Sequence, residues 1–519
     1  MRLYRCRIGR TGTRLSCLMV ICLVLHAHPG AGQTAGQAGA WSGVIPLPNI
    51  PIAAALLPNG EVLTWSSFQP TGFETDIGDN PSDTYTSLFD PVRETSVTTI
   101  VGNPPVDMFC PGIADLPDGR VLVNGGSSSP KTTIYDPTAN TWSADADMNI
   151  PRGYNGDVVL TTGEVLTLGG SWSGPYCVER IGEVWAENSG WGLRNGIGAN
   201  PITGPDPEDS PCVAKGDAYA WLFTVGNGEV FHAGPSAEMH WISTSGSGSI
   251  MSAGNRGDDA YSMNGKAVMY DIGKILKTGG APAYSAAPAT AATYLIDVNA
   301  AVADPTQPVV VQETAPMAYP RAYANGVVLP NGQVLIVGGQ TYAQSFSDDN
   351  SVLVPELWDP ASQTFTQLAP MQTPRNYHSV ALLLPDGRVF VGGGGGCGCS
   401  ADHPDAEIFY PPYLFNSDGS PATRPIIVSA PSSSVQLGST VAVTTNADIS
   451  TFAILRLSAA THTANNDQRR IALSFTSGPG HQYTLSAPGD AGVAVPGYYL
   501  LFAITPNGTP SVGQMIQIG

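Results

Sequence analysis

The chain has 519 residues, with 60 glycines, 44 prolines and only 13% charged residues, a composition that excludes a helical bundle and describes a turn-rich, all-β protein. Acidic residues outnumber basic ones 42 to 23 and give a formal net charge of −19, which argues against nucleic acid and anionic membranes as partners. Neutral partners are expected instead.

At the N-terminus Arg2, Arg5, Arg7, Arg10 and Arg14 precede an apolar run from Leu15 to Leu25 and then small residues around His28 to Gln33. That is the order of a secretory signal peptide, and the apolar run is too short to span a bilayer. Residues 1–38 are read as signal peptide and short linker, and the protein as secreted, extracellular or periplasmic. Losing those five arginines takes the formal charge from −19 to −24. Cys6, Cys17 and Cys22 leave with the leader, so Cys110, Cys177, Cys212, Cys397 and Cys399 remain. An odd number means that at least one is unpaired or otherwise engaged.

From about residue 39 to 423 a pattern repeats: Pro-x-Gly-x-Val/Leu, then a glycine pair. Clear copies end at Gly125-Gly126, Gly169-Gly170, Gly279-Gly280, Gly338-Gly339 and Gly392-Gly393, and degenerate ones at Gly60 to Trp65 and Gly228 to Gly234. Aromatic-Asp-Pro turns follow several of them, as in Tyr135-Asp136-Pro137 and Trp358-Asp359-Pro360. Short strands recurring every roughly 45 to 60 residues predict a kelch-type β-propeller, here of seven blades.

Equivalent positions in equivalent blades lie at equivalent places around the axis. Fifteen residues before the first glycine of each clear pair stand Cys110, Tyr154, Asn264, Tyr323 and Tyr377, near one mouth of the channel. Tyr323 shows that tyrosine is also what the repeat prefers there. Cys110 and Tyr154, however, occupy the slot in consecutive blades and become lateral neighbours, and only Tyr377 is followed by histidine, His378. Successive strand side chains point to opposite faces, so this pair can share one object only where the chain bends.

After Arg424-Pro425 the repeat stops, and alternating runs at Val435–Val443, Phe452–Leu457, Tyr483–Ala487 and Tyr498–Ile504 predict a small β-sandwich over 424–519. His462 lies in its polar segment Ala459 to Arg470, by composition an ordinary loop histidine.

These segments carry a resemblance. Asp107-Met108-Phe109-Cys110-Pro111-Gly112, Arg152-Gly153-Tyr154, Gly169-Gly170-Ser171-Trp172-Ser173-Gly174, Tyr377-His378-Ser379, Ala460-Thr461-His462-Thr463 and Asp467-Gln468-Arg469-Arg470 stand in the same order as in galactose oxidase and the copper radical oxidases. The chain resembles that family from about residue 43 to its end. The resemblance implies a propeller followed by an immunoglobulin-like sandwich whose loop enters the channel, with Tyr154, Tyr377, His378 and His462 as copper ligands. Two imidazoles and two phenols suit a tetragonal Cu(II) site. It further implies a thioether between Cys110 and the ring of Tyr154, which accounts for the odd cysteine, with Trp172 covering it.

The activity so implied is oxidation of a primary alcohol or sugar to the aldehyde, with O2 reduced to H2O2. Removing two electrons needs a second one-electron centre beside copper, the Cys110–Tyr154 thioether radical, with Tyr377 as general base. By the same resemblance Arg256, Tyr284, Phe73 and Phe346 bind substrate, although Ser285 replaces a glutamine. The family's N-terminal carbohydrate-binding domain is expected to have no counterpart here. Cys397-Gly398-Cys399 is one spacer short of the family's Cys-x-x-Cys disulfide, so pairing of Cys177 with Cys212 is expected instead. A glyoxal-oxidase-like aldehyde oxidase and a non-catalytic kelch binding protein are the alternatives. The partners expected are a small-molecule substrate and O2, with no nucleic acid and no membrane, and the protein is expected to be a monomer.

Overall fold

The computed structural model describes residues 33–73, 83–102, 104–170, 172–174, 178–202, 219–431 and 434–519. The leader at 1–32 and both Cys177 and Cys212, which were expected to pair, lie outside the described residues.

Among the described residues, seven antiparallel sheets follow one another along the chain, each built on four strands. Their first strands are Ala53–Leu56, Gly112–Asp115, Gly156–Val159, Trp221–Thr224, Lys266–Asp271, Asn325–Val328 and Ser379–Leu383. First strands pack side by side between the second and third, third and fourth, fifth and sixth, and sixth and seventh sheets, and the last returns to the first, which makes the sheets propeller blades. Burial follows radius. Ala53–Leu56 and Val62–Trp65 are buried throughout, whereas the outer strand Thr364–Gln367 is almost wholly exposed, and the sequence runs from continuous apolar residues to polar ones accordingly. The seventh blade takes its outer strand from the N-terminus: Ala40 pairs with Tyr410 and Trp41 with Phe409.

The glycine pairs have a steric origin. Both members take positive φ, and a Cβ on Gly126 would stand 2.3 Å from the carbonyl oxygen of Phe109. The residue in the slot upstream is itself left-handed at Cys110, Tyr154, Asn264 and Tyr323, with φ of 58°, 66°, 55° and 63°. In the seventh blade the pair so defined is Gly393-Gly394, with φ of 78° and 127°, because Gly392 does not share that conformation. The register therefore shifts by one: His378, with φ of 68°, occupies the slot, and Tyr377 precedes it. The same count from Gly234 gives Tyr219 as the slot residue of the fourth blade.

The Pro-Arg frame shared by three blades pins strands together from inside. Arg152, Arg321 and Arg375 are buried and donate to the carbonyls of Gly169, Gly338 and Gly393. Each also pairs with a carboxylate of the third strand: Glu183 at 2.7 Å, Glu356 at 2.8 Å and Asp405 at 2.5 Å.

Beyond the blades, two sheets face each other. One contains Ile427–Ser429, Thr440–Thr445, Gln482–Ser486 and Phe475–Gly478; the other contains Arg470–Leu473, Thr451–Arg456, Gly497–Ile504 and Gln514–Ile518. Phe452, Ile454, Tyr499 and Leu501 fill the space between them. The alternate residues Leu455, Leu500 and Phe502 bury the opposite face against the propeller core, so the second sheet is apolar on both sides and binds the sandwich rigidly to the blades.

Arg321 and Glu356 are both fully buried, so removing one partner strands a charge. Arg321→Met is expected to destabilise the protein by about 3–5 kcal/mol, and Arg321→Met with Glu356→Gln to recover part of that loss. Denaturant unfolding of the two variants checks this.

Candidate metal centre

The sandwich sends one segment back into the propeller channel. Its strand Ala459–Thr461 pairs with the inner strand of the first blade, Ala53 opposite Thr461. Beyond the turn, Asn466 donates to the carbonyls of Asp157 and Ala220, Gln468 to that of Gly326 and Arg469 to that of Thr224. The segment is thus tied to four blades, and its tip is His462.

That tip is a tight turn. Ala464 N–H donates to the Thr461 carbonyl at 2.8 Å, and His462 and Thr463 between them have φ of 48° and 67°. Left-handed conformations at both central positions define a type I′ turn, whose usual residues are Asn-Gly. Here a histidine and a β-branched threonine hold it, at a cost on the order of 1–3 kcal/mol each.

The slot geometry supplies the rest. Tyr154 N–H donates to the Cys110 carbonyl at 3.0 Å across the blade boundary. The left-handed bend at His378 folds its ring onto that of Tyr377, with centroids 3.8 Å apart. The His462 ring lies 4.4 Å from His378, 4.8 Å from Tyr154 and 5.3 Å from Tyr377. The hydroxyls of Tyr154 and Tyr377 hydrogen-bond to each other. Cys110 Sγ stands 3.4 Å from His462 Nε2 and 3.8 Å from His378 Nε2. All five residues are buried.

Hydrogen bonds fix which ring nitrogens face this point. His378 Nδ1 meets the Gly395 carbonyl at 2.5 Å, an acceptor only, so Nδ1 carries the proton. Thr461 Oγ1 gives its hydrogen to the Ile52 carbonyl, so at 2.7 Å it accepts from His462 Nδ1. Both Nε2 lone pairs are left for a ligand, the arrangement that orients metal-binding histidines. Burial holds both imidazoles neutral, His378 down to about 3 and His462 well below its ordinary value. Burial, with the Cys110 thiol adding to it, pushes the phenols of Tyr154 and Tyr377 well up. A cation among these groups would reverse the cost of ionising the phenols. Two imidazole nitrogens, two phenol oxygens and a thiol, all inward-facing, fit a borderline transition metal of the copper type.

Around this point stands an aromatic shell. Trp172 lies 5.2 Å from Tyr154, and it can do so because residue 153 is glycine: a Cβ there would meet the indole at 3.0 Å. Phe73 and Phe346 stack at 5.5 Å, and Phe346 packs on Tyr377 at 5.0 Å. Tyr284 Oη donates to Tyr377 Oη and lies 3.1 Å from Tyr154 Oη. Ser285 Oγ accepts from Ser345 N at 3.4 Å and so joins two loops rather than extending into the site.

One expectation is left without support and another requires correction. Arg256, expected to bind substrate, is committed to its own blade. It is fully buried, its Nε donates to Asp259 at 2.6 Å, and its remaining donors go to the carbonyls of Ala233, Ser236, Pro235 and Ala260. No guanidinium N–H is left for a sugar. Cys397 and Cys399, expected to stay apart, form a disulfide across a Cα separation of 5.2 Å, within the ordinary range. Gly398, at φ of 69°, supplies the turn, and Asp402 collects the N–H groups of Gly396, Cys397 and Cys399.

Other residues of the site went unassigned in the sequence. Phe109 touches Phe73, Trp172 and His378 at 4.6, 5.7 and 5.3 Å. Tyr219 stacks on His462 at 4.8 Å and lies 5.1 Å from Tyr154. Extending the fifteen-residue count to the degenerate fourth repeat would have found it. A cavity of about 720 Å³ lies elsewhere, between the N-terminal strand and the Ala369–Gln372 loop, and shares no residue with the centre.

Thr461→Val removes the acceptor of His462 Nδ1 while keeping the volume. Cu(II) affinity is expected to fall about 10–100-fold, read by titration against a chelator.

The chain is similar to several known proteins. Residues 424–518 match the family model described as galactose oxidase-like, early set domain, and residues 259–400 match glyoxal oxidase N-terminus. A galactose oxidase of Gibberella zeae is 41% identical over 511 residues, covering 95% of this chain and 73% of that protein. An aldehyde oxidase of Arabidopsis thaliana is 34% identical over 237 residues, 41% of this chain and 38% of its own length. Among solved structures, a fungal alcohol oxidase of the AA5 family in complex with copper superposes with a TM-score of 0.86 at 38% identity, covering 93% of this chain and 100% of that one.

Proposed function

The chain belongs to the galactose oxidase family of copper radical oxidases, and from that premise we propose that it oxidises a primary alcohol, a galactose-type sugar or a smaller alcohol, to the aldehyde while O2 becomes H2O2. The observation that carries the proposal is the convergence of two Nε2 lone pairs and two phenol hydroxyls from the third and seventh blades and the sandwich. Tyr154, Tyr377, His378 and His462 would hold the copper. When bound, copper supplies one of the two one-electron couples that alcohol oxidation requires, and the thioether-linked Cys110–Tyr154 phenol supplies the other.

The chain's own groups then have definite tasks. Tyr377 takes the substrate's hydroxyl proton at Oη, where its hydrogen bonds to the hydroxyls of Tyr154 and Tyr284 hold the oxygen in place. Trp172 and Phe109 keep water from the Tyr154 ring. Phe73 and Phe346 form an apolar wall beside Tyr377 that orients the carbinol carbon. With Arg256 committed to its own blade, this wall is the recognisable substrate-facing feature. It favours alcohols with an apolar face.

A second reading as an aldehyde oxidase acting on glyoxal-type substrates is supported by the match of residues 259–400 to the glyoxal oxidase model. A purely binding role would leave the donor set without purpose, since every member is present. We further read residues 1–38 as leader and linker, 39–423 as propeller and 424–519 as sandwich, in a monomer exported from the cell. Support comes from the basic and then apolar N-terminus and the acidic remainder. Among the described residues no helix is long and apolar enough to cross a membrane.

Two measurements test the proposal. Copper loading in air is expected to lower the intact mass by two hydrogens as the Cys110 S–H and a Tyr154 ring C–H give way to a C–S bond, the two electrons and two protons going to O2. Tryptic peptides bearing the two residues then stay joined under reduction; separate peptides remove the radical cofactor. An oxygen-electrode screen of galactose, glycerol, benzyl alcohol, aliphatic alcohols and glyoxal-type aldehydes is expected to show turnover of alcohols above aldehydes, and the reverse order favours the second reading.

A further inference from the structure

The turn that presents His462 is held in a costly conformation, and its own backbone hydrogen bonds run between Thr461 and Ala464. The Thr463 carbonyl points away from that pairing into the channel and, being buried, needs a donor from elsewhere. It receives one from Lys266, the first residue of the inner strand of the fifth blade, whose Nζ donates at 2.6 Å. The preceding residue contributes as well: Thr463 Oγ1 donates to the Gly265 carbonyl at 3.2 Å. Lys266 is itself 2% exposed, an unusual place for lysine, and among the described residues it meets no carboxylate there. A lysine buried without a counter-ion has a task that its stem length and its donors explain.

We infer that Lys266 is a positioning residue for the metal centre: its amine clamps the Thr463 carbonyl, keeps the His462-Thr463 turn left-handed, and thereby fixes where His462 Nε2 points. The inference rests on the reading of His462 as a metal ligand and adds to it a residue that touches neither metal nor substrate. It does not depend on the charge of Lys266. Burial lowers its amine to about 7, and the neutral form still carries N–H donors.

The clamp makes a prediction that mere core packing does not. A type I′ turn with glycine at its second central position forms unaided, so Thr463→Gly should make Lys266 dispensable. The full-length protein and the variants Lys266→Met, Thr463→Gly, the double variant and His462→Ala are titrated with Cu(II) against a chelator. The copper EPR spectrum and the metal-free Tm are recorded alongside.

Lys266→Met is expected to lose about 10–100-fold in copper affinity with an altered copper hyperfine coupling, the effect seen when an outer partner of a ligand is removed. In the Thr463→Gly background the same substitution is expected to cost no more than about threefold, because the turn no longer needs holding. Wild-type affinity and spectrum in Lys266→Met, with His462→Ala impaired, overturn the clamp and leave the centre intact. An undiminished loss in the double variant overturns it equally. Wild-type binding by His462→Ala overturns the reading of the centre itself. If Lys266→Met alone does not fold, the double variant decides: folded protein with near wild-type copper affinity supports the clamp, and folded protein without it does not.

Discussion

The centre depends on the pairing of Ala459–Thr461 with the inner strand of the first blade. Every other donor sits on the propeller, at positions that the blade repeat places around one mouth. Only this pairing brings a residue of the sandwich to the same point. Backbone hydrogen bonds set the register to a single residue, and a slip by one would turn each side chain to the opposite face. The double-sided burial of the second sandwich sheet fixes the root of the segment, and Asn466, Gln468 and Arg469 fix its course through the channel.

Dryness is the second consequence of that arrangement. With donors drawn from several blades and closed over by Phe109, Trp172 and Phe346, the centre excludes the water that would otherwise bond the phenols and imidazoles. Imidazoles so buried are neutral and have free lone pairs, and the phenols ionise only in the presence of positive charge. On the proposed function, the same enclosure would protect the Tyr154 ring, from which an electron is withdrawn.

Most of the architecture is legible in the sequence because its causes are local. Glycine pairs appear where a Cβ would strike the neighbouring loop, and apolar runs where a strand is buried on both faces. The failures are equally physical. Five consecutive glycines from Gly392 to Gly396 offer several positions for one pair, so the spacing put Tyr377 in the slot that His378 fills. Pro235 replaces the usual second glycine of the fourth repeat's motif, and Tyr219 was hidden with it. His462 was recognised only through resemblance, since a turn built from His-Thr carries none of the glycine signal of its type. Arg256 matched a motif, but a guanidinium can be saturated by carbonyls of its own blade, and sequence does not report that. The short Cys397–Cys399 ring was discounted from its spacing, although a left-handed Gly398 closes it.

The central claim is that one metal ion sits where two propeller tyrosines, one propeller histidine and one sandwich histidine meet. Anomalous difference maps recorded at the copper edge from copper-soaked crystals test it most directly. The account predicts one strong peak within bonding distance of the Oη atoms of Tyr154 and Tyr377 and the Nε2 atoms of His378 and His462. A peak elsewhere, with none at that point, would contradict it.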